Sequence, residues 1–399
     1  MLELLAPAGN LSKLKTAIKF GADAVYIGGE EFSLRTAADN FTYDEMREGI
    51  EFAHARGKKV YVAVNIVPRS DELERIREYA KKLYEMEADG VIVSDLGAFS
   101  VVKNAVPDLP IHISTQANNT NYESANMWHS MGAMRIVLAR ELSLGEIKTV
   151  RDNLPSECEI EVFVHGAMCV SYSGRCLLSN YLTNRDSNKG ECAQPCRWKY
   201  YLMEEKRPGE FMPVFENDKG TFIFNSKDLC MIEHIKELDE AGVKSLKIEG
   251  RVKSEYYVST VVKAYRKAID DYYAGKEFDK KLFDEVLKVS HREYSKGFYF
   301  GNPEQIYTYG SYVRNYDIVG VVLSYDKETK TATIEQRNRF FKGDEVEFMP
   351  PVGDYISAKV TKITTEDGEE VESAPHPQQI LKIPVDTPLQ VDTIMRKEV

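Results

Sequence analysis

Five of the six cysteines in this 399-residue chain fall between positions 169 and 230: Cys169, Cys176, Cys192, Cys196 and Cys230. The sixth, Cys158, stands apart at the start of an apolar run, where a core role is expected. Thiolates are soft ligands, and four of them converging on one point can hold zinc or an iron–sulfur cluster. The spacing is Cys169-x6-Cys176-x15-Cys192-x3-Cys196-x33-Cys230. That is neither the tandem CxxC of a zinc ribbon nor a ferredoxin run. Spacing therefore leaves three readings open: an iron–sulfur cluster, structural zinc, and simple burial, which cysteine favours.

Such ligands need a scaffold. Residues 1–250 repeat a short β-branched run, a small or polar cluster and an amphipathic stretch. The runs are Leu2–Ala6, Ala24–Ile27, Val60–Val64, Gly90–Val93, Ile111–Ser114, Arg135–Ala139, Ile160–Val164 and Ser245–Ile248. Strands alternating with helices imply a parallel sheet, and eight within this length fit an α/β (β/α)8 TIM-like barrel. A doubly wound sheet is the alternative, but no Gly-rich dinucleotide turn follows the first strand. The cysteines occupy an insertion, 167–230, after strand seven. It includes an expected hairpin of Lys199–Glu204 against Thr221–Asn225. In a barrel the C-terminal strand ends carry chemistry. Asn65, Asp95, Gln116, Arg140, Glu141, His165, Lys247, Glu249 and Arg251 stand at those expected ends. Arg140, Lys247 and Arg251, with Gln116, are candidate substrate-binding groups, because guanidinium forks suit carboxylate or phosphate. Ion pairs with Glu141 and Glu249 are the plainer reading. His165, Glu249 and Asn65 are the candidate catalytic groups; a packed, satisfied histidine is the plainer reading of His165.

The barrel is expected over 1–275, ending in a helix over Ser254–Gly275, with a linker over 276–300. From 301 to 399 the texture changes to a small all-β, barrel-like domain. Its strands are expected at Ile318–Ser324, Thr331–Gln336, Glu345–Met349, Tyr355–Ile363 and Gln390–Met395. Net charge is −11, which argues against nucleic-acid binding by bulk charge but not by a local basic surface. Two segments could supply one. Arg197 and Trp198 lie in a basic, aromatic stretch, and Arg337, Arg339 and Lys342 flank Phe340 and Phe341. Cations meet phosphates, and aromatic faces meet unstacked bases. No apolar run reaches the roughly 18–20 residues of a membrane helix. The N-terminus reads as a strand and a turn rather than a signal peptide, so a cytoplasmic location is expected.

Glu161-Val-Phe163-Val-His165-Gly166-Ala167-Met168-Cys169, then Ser173-Gly174-Arg175-Cys176-Leu-Leu-Ser179, strongly resembles the signature of the collagenase-like peptidase family. Leu5-Ala-Pro-Ala-Gly9, Gly21-Ala-Asp-Ala-Val-Tyr26-Ile-Gly28, Ser226-Lys-Asp-Leu229 and Lys247-Ile-Glu249-Gly250-Arg251 support it. The resemblance implies more than the family's old name. Its better understood members are iron–sulfur proteins of oxygen-independent hydroxylation. One branch forms 5-hydroxyuridine at the tRNA wobble position and draws on prephenate; another hydroxylates a cytidine of large-subunit ribosomal RNA; a third serves ubiquinone synthesis. A barrel with a β domain at this length is most similar to the tRNA branch. The resemblance puts a 4Fe–4S cluster on Cys169, Cys176, Cys192 and Cys230, with Cys196 as the alternative ligand. The implied partners are a tRNA anticodon loop and prephenate. A homo-oligomer or a paralogous partner subunit is compatible with the sequence. A peptidase is the first alternative, although HExxH and G-x-S-x-G are absent. A non-catalytic iron–sulfur or RNA-binding scaffold is the second.

Overall fold

The computed structural model describes residues 1–33, 40–168, 178–183, 185, 192–193, 195, 202–203, 211–212, 227–301 and 313–399. Seven parallel strands come first: β1 (Glu3–Pro7), β2 (Ala24–Gly28), β3 (Lys59–Val64), β4 (Gly90–Val93), β5 (Ile111–Ile113), β6 (Arg135–Val137) and β7 (Glu159–Ala167). A hairpin of β8 (Leu202–Met203) and β9 (Phe211–Met212) follows, then β10 (Asp228–Cys230) and β11 (Ser245–Ile248). β1 to β7 pair in chain order, and β11 pairs with both β1 and β7, which closes the expected eight-stranded parallel barrel. β10 runs antiparallel along the upper part of β7.

Helices α1 (Leu11–Lys19), α2 (Tyr43–His54), α3 (Leu73–Glu85), α4 (Leu96–Ala105), α5 (Tyr122–Ser130) and α6 (Leu144–Asp152) connect successive strands. α7 (Leu178–Thr183) lies in the insertion, α8 (Ile235–Glu240) precedes β11, and α9 (Glu255–Tyr273) follows it. Their starts are written locally. The Ser254 side chain accepts from the Tyr257 amide at 3.2 Å, and Thr42 with Glu45 forms a capping box, so orphan first-turn donors are satisfied. Outward strand residues such as Leu4, Val25, Val62 and Ile136 pack with Leu14, Ile50, Ile76 and Val261 into one core. Inward residues Leu5, Ala24, Tyr26, Tyr61 and Ile92 form a separate cluster in the lumen. No helix among the described residues is long and apolar enough to cross a membrane.

Two expectations about connections are corrected. Residues 276–300 are not a bare linker: α10 (Lys281–Val286) packs Leu282 and Val286 into the barrel core, and β12 (Tyr294–Ser295) pairs with β10. Charged residues at 276–281 mask the apolar positions that follow. The described hairpin partner of β8 is β9, so its return strand is Phe211–Met212; Thr221–Asn225 lies outside the described residues.

The all-β domain is present beyond residue 313. Its strands are β13 (Tyr316–Asp326), β14 (Thr331–Gln336), β15 (Phe340–Phe341), β16 (Glu345–Met349), β17 (Ile356–Lys359), β18 (Ile363–Thr365), β19 (Glu370–Val371), β20 (Ser373–Ala374), β21 (Ile380–Pro384) and β22 (Ile394–Glu398). The single strand expected over Tyr355–Ile363 is divided between β17 and β18, which lie at different places in the sheet. The domain has its own core around Phe340, Phe348, Ile334 and Met395. Met349 and Ile394 instead join the barrel core. Arg396, fully buried, is ion-paired with Glu285 of α10 and Glu347 of β16. Lys263 of α9 donates to the carbonyls of Pro350 (2.7 Å) and Gly353 (2.8 Å).

Candidate active site at the barrel mouth

The lower lumen is charged. Arg135 Nη1 donates to Glu3 at 2.6 Å and to Glu161 at 3.1 Å, and its Nε to Glu159 at 2.8 Å. Tyr61 and Ser245 hydroxyls each donate to Glu3 at 2.8 Å. Burial alone would raise the Glu3 pKa, but Arg135 and these hydrogen bonds outweigh it and hold the carboxyl low. Lys247 belongs here. Its ammonium lies 2.7 Å from Glu161, with side-chain exposures of 6% and 0%, and 4.5 Å over the Tyr26 ring. β11 continues to Ile248, so Lys247 lies within the strand, its ammonium in the lumen beside Glu161 and 5.5 Å from the Phe163 ring. Arg135, Glu3 and Glu161 were not singled out in the sequence. The signal available was charge at inward positions of runs that are otherwise apolar.

Above this floor, β7 breaks step. Its register against β11 passes from Phe163↔Lys247 to His165↔Ile248, an extra residue that forms a bulge. Simple alternation would point Glu161, Phe163 and His165 alike into the lumen. After the bulge, His165 turns outward against α9. Its Nδ1 is 3.4 Å from Tyr265 Oη and its Nε2 3.2 Å from Tyr294 Oη. Burial pushes its pKa down to about 3, aided by His291 and Lys253, so the ring is neutral. His165 is thus a packed, bonded histidine and does not face the mouth. Cys230, its cross-strand partner, shares this environment: Sγ is 4.0 Å from Tyr265 Oη, and burial pushes the thiol pKa up to about 12.

The mouth itself gathers five of the other expected residues: Asn65, Gln116, Arg140, Glu249 and Arg251. Asn65, just beyond β3, donates its amide to Gln116 at 2.9 Å. Arg140, beyond β6, lies 3.9 Å over the Phe163 ring, donates to the Ala167 carbonyl at 2.9 Å, and approaches Glu249 at 3.6 Å. Arg251 is buried. Its guanidinium donates to Ser33 (3.1 Å) and Asn40 (2.7 Å) at the two ends of the segment after β2. A Cβ at Gly28 would stand 2.3 Å from that guanidinium, so the glycine makes room for it. Asp95 caps α4 through the Ala98 amide at 2.9 Å. Burial raises the Glu141 pKa despite Arg140.

In the β domain Arg337 pairs with Glu335 at 3.0 Å, and Lys342 with Glu370 and Glu372 at 3.1 Å each. Arg339 lies 4.9 Å over the exposed ring of Phe341. Arg197, Trp198, Cys169, Cys176 and Cys196 lie outside the described residues; Cys192 is half-buried and Cys158 fully buried. Of the five clustered cysteines, Cys192 and Cys230 are described; thiolates are soft ligands, and burial raises the Cys230 thiol pKa.

Residues 9–308 match peptidase family U32, and residues 314–396 match the peptidase family U32 C-terminal domain. The chain belongs to peptidase family U32. It is 43% identical over 401 residues to "tRNA hydroxylation protein P1" of Bacillus subtilis, covering 99% of this chain and 94% of that protein. It is 38% identical over 432 residues to "tRNA hydroxylation protein P" of Escherichia coli, covering 98% and 95%. The "23S rRNA 5-hydroxycytidine C2501 synthase" of E. coli is 38% identical over 269 residues, 67% of this chain and 39% of that protein. These relatives are named for RNA hydroxylation.

Proposed function

We propose that this U32 protein hydroxylates C5 of the wobble uridine in tRNA in the cytoplasm, without molecular oxygen and with prephenate as co-substrate. The observation that carries the reading is similarity to tRNA hydroxylation proteins across both domains at once. Cys169, Cys176, Cys192 and Cys230 would hold a 4Fe–4S cluster, with Cys196 as the alternative fourth ligand. A bound cluster supplies one-electron chemistry. The chain's own residues do the rest. Arg140 offers a cation to a carboxylate or phosphate, and the Asn65–Gln116 pair fixes polar groups across the mouth. Arg251 braces the segment after β2. Exposed Phe341 with Arg339 suits stacking and phosphate contact. A base must leave its stack to reach a barrel mouth, and anticodon-loop nucleotides splay out readily.

Cysteine-protease chemistry has the wrong geometry at Cys230. A nucleophilic thiol needs a depressed pKa and a base at hand. Cys230 is buried with a raised pKa, and both ring nitrogens of His165 face tyrosines.

The test is nucleoside mass spectrometry of tRNA from a strain lacking the gene, grown with and without oxygen and with prephenate synthesis blocked. Loss of 5-hydroxyuridine derivatives, restored by the gene in both atmospheres but not without prephenate, is expected. Unchanged derivatives in a strain without a paralogue would remove the reading and favour a scaffold.

A further inference from the structure

Buried polar atoms without a partner are rare, since each costs about 1–3 kcal/mol. Among the described residues five such atoms lie in two neighbouring loops of the mouth: Asn118 Oδ1, both Asn119 amide atoms, Arg140 Nε and Glu141 Oε2; others, such as Gln336 Oε1 and Thr393 Oγ1, lie elsewhere. The loops follow β5 and β6 and are tied together: the Ala139 amide donates to the Asn119 carbonyl at 3.0 Å, and Thr115 Oγ1 to the Leu138 carbonyl at 3.0 Å. Asn118 takes the left-handed conformation, φ 55°, which completes the turn before Asn119. Asn119 is 1% exposed and the Arg140 side chain 10%. Two nearly buried side chains thus present unmet hydrogen-bonding groups from adjoining loops at the reactive end of the barrel.

We propose that Asn119 binds the imide edge of the target pyrimidine, with Arg140 Nε as a second donor. This rests on the RNA-hydroxylation reading above. A uracil imide presents acceptor, donor, acceptor in a row: O2, N3–H and O4. An asparagine amide offers one donor and one acceptor side by side, matching one carbonyl and N3–H, and Arg140 Nε offers a donor for the other carbonyl. The C5–C6 edge lies on the opposite side of the ring, so this grip leaves the carbon to be hydroxylated clear. Reading an extruded base by its Watson–Crick edge is the general solution for enzymes that work on bases. Arg140 is held by the Ala167 carbonyl at 2.9 Å, the Phe163 ring at 3.9 Å and the 3.6 Å approach to Glu249. A resident water is the competing occupant of these atoms.

The test uses the full-length protein and an anticodon stem-loop RNA carrying uridine, an abasic site or N3-methyluridine at the wobble position. Wild type should bind the uridine RNA about 5- to 150-fold tighter than the other two, the range of one good bidentate contact. Asn119→Leu should erase that difference while its Tm stays equal or rises, because an unmet buried amide has been removed. N3-methyluridine bound as well as uridine would overturn the proposal without any variant. So would an Asn119→Leu protein that keeps the preference, and a lowered Tm in that variant would assign the amide to structural water. If wild type does not distinguish uridine from the abasic site, the hydroxylation reading fails first and takes this one with it.

Discussion

Cys230 and Lys247 are both buried side chains, and Lys247 lies in a buried ion pair. Lys247 is compensated by Glu161 at 2.7 Å. Removing one partner of a buried pair strands the other, so Lys247→Ala should cost about 3–5 kcal/mol in urea unfolding. The paired change Lys247→Met with Glu161→Leu should recover most of that loss, because matched apolar groups replace a desolvated pair. Burial pushes the Cys230 thiol pKa up to about 12, so the thiol carries its proton at neutral pH. Single Cys→Ser changes at Cys169, Cys176, Cys192 and Cys230 should each lower iron and acid-labile sulfide after anaerobic purification, whereas Cys158→Ser should not. Full iron in the Cys230 variant with loss in the Cys196 variant would exchange the fourth ligand.

At the scale of elements, the bulge in β7 decides which side chains meet the mouth and which meet α9. Just past it Gly166 has φ 105°, and a Cβ there would lie 2.6 Å from the Glu249 carbonyl. Gly166→Ala should therefore destabilise by about 1–3 kcal/mol and displace Glu249, seen as a lowered Tm and, by crystallography, a broken Arg140–Glu249 approach. The eight barrel strands were legible because β-branched runs between amphipathic stretches admit few other architectures, and Ser254 announced α9 as a cap. The facing of His165 was not legible. Alternation assumes an unbroken pleat, and a bulge inserts one residue without altering the residue types. The pairing of Lys247 was not legible for a similar reason: a lysine near a strand end reads as exposed until its buried carboxylate partner, far away in sequence, is known. Asn119 left only a faint trace, in the polar run Thr115-Gln-Ala-Asn-Asn.

Across the whole molecule, the β domain is fastened to the barrel through buried charge. Arg396 reaches Glu285 and Glu347 and lies 5.1 Å from the Tyr355 ring centre. Arg396→Ala removes the buried guanidinium and leaves Lys288, 2.6 Å from Glu285 and 3.0 Å from Glu347, as the remaining cation between the two carboxylates. Hydrogen exchange should then quicken in α10 and β16 together, with a loss of about 3–5 kcal/mol, while lumen strands such as β3 keep their protection. The charged floor of Arg135, Glu3, Glu159, Glu161 and Lys247 has a different consequence. Among the described residues it stoppers one end of the barrel and leaves the C-terminal mouth as the doorway. A macromolecule seated over that doorway seals whatever small molecule is already inside, and nothing can leave beneath it. If the proposed reaction holds, the order of traffic would be small substrate first, RNA second, with RNA released before the spent small molecule. Product-inhibition patterns of an ordered rather than a random mechanism are the expected signature.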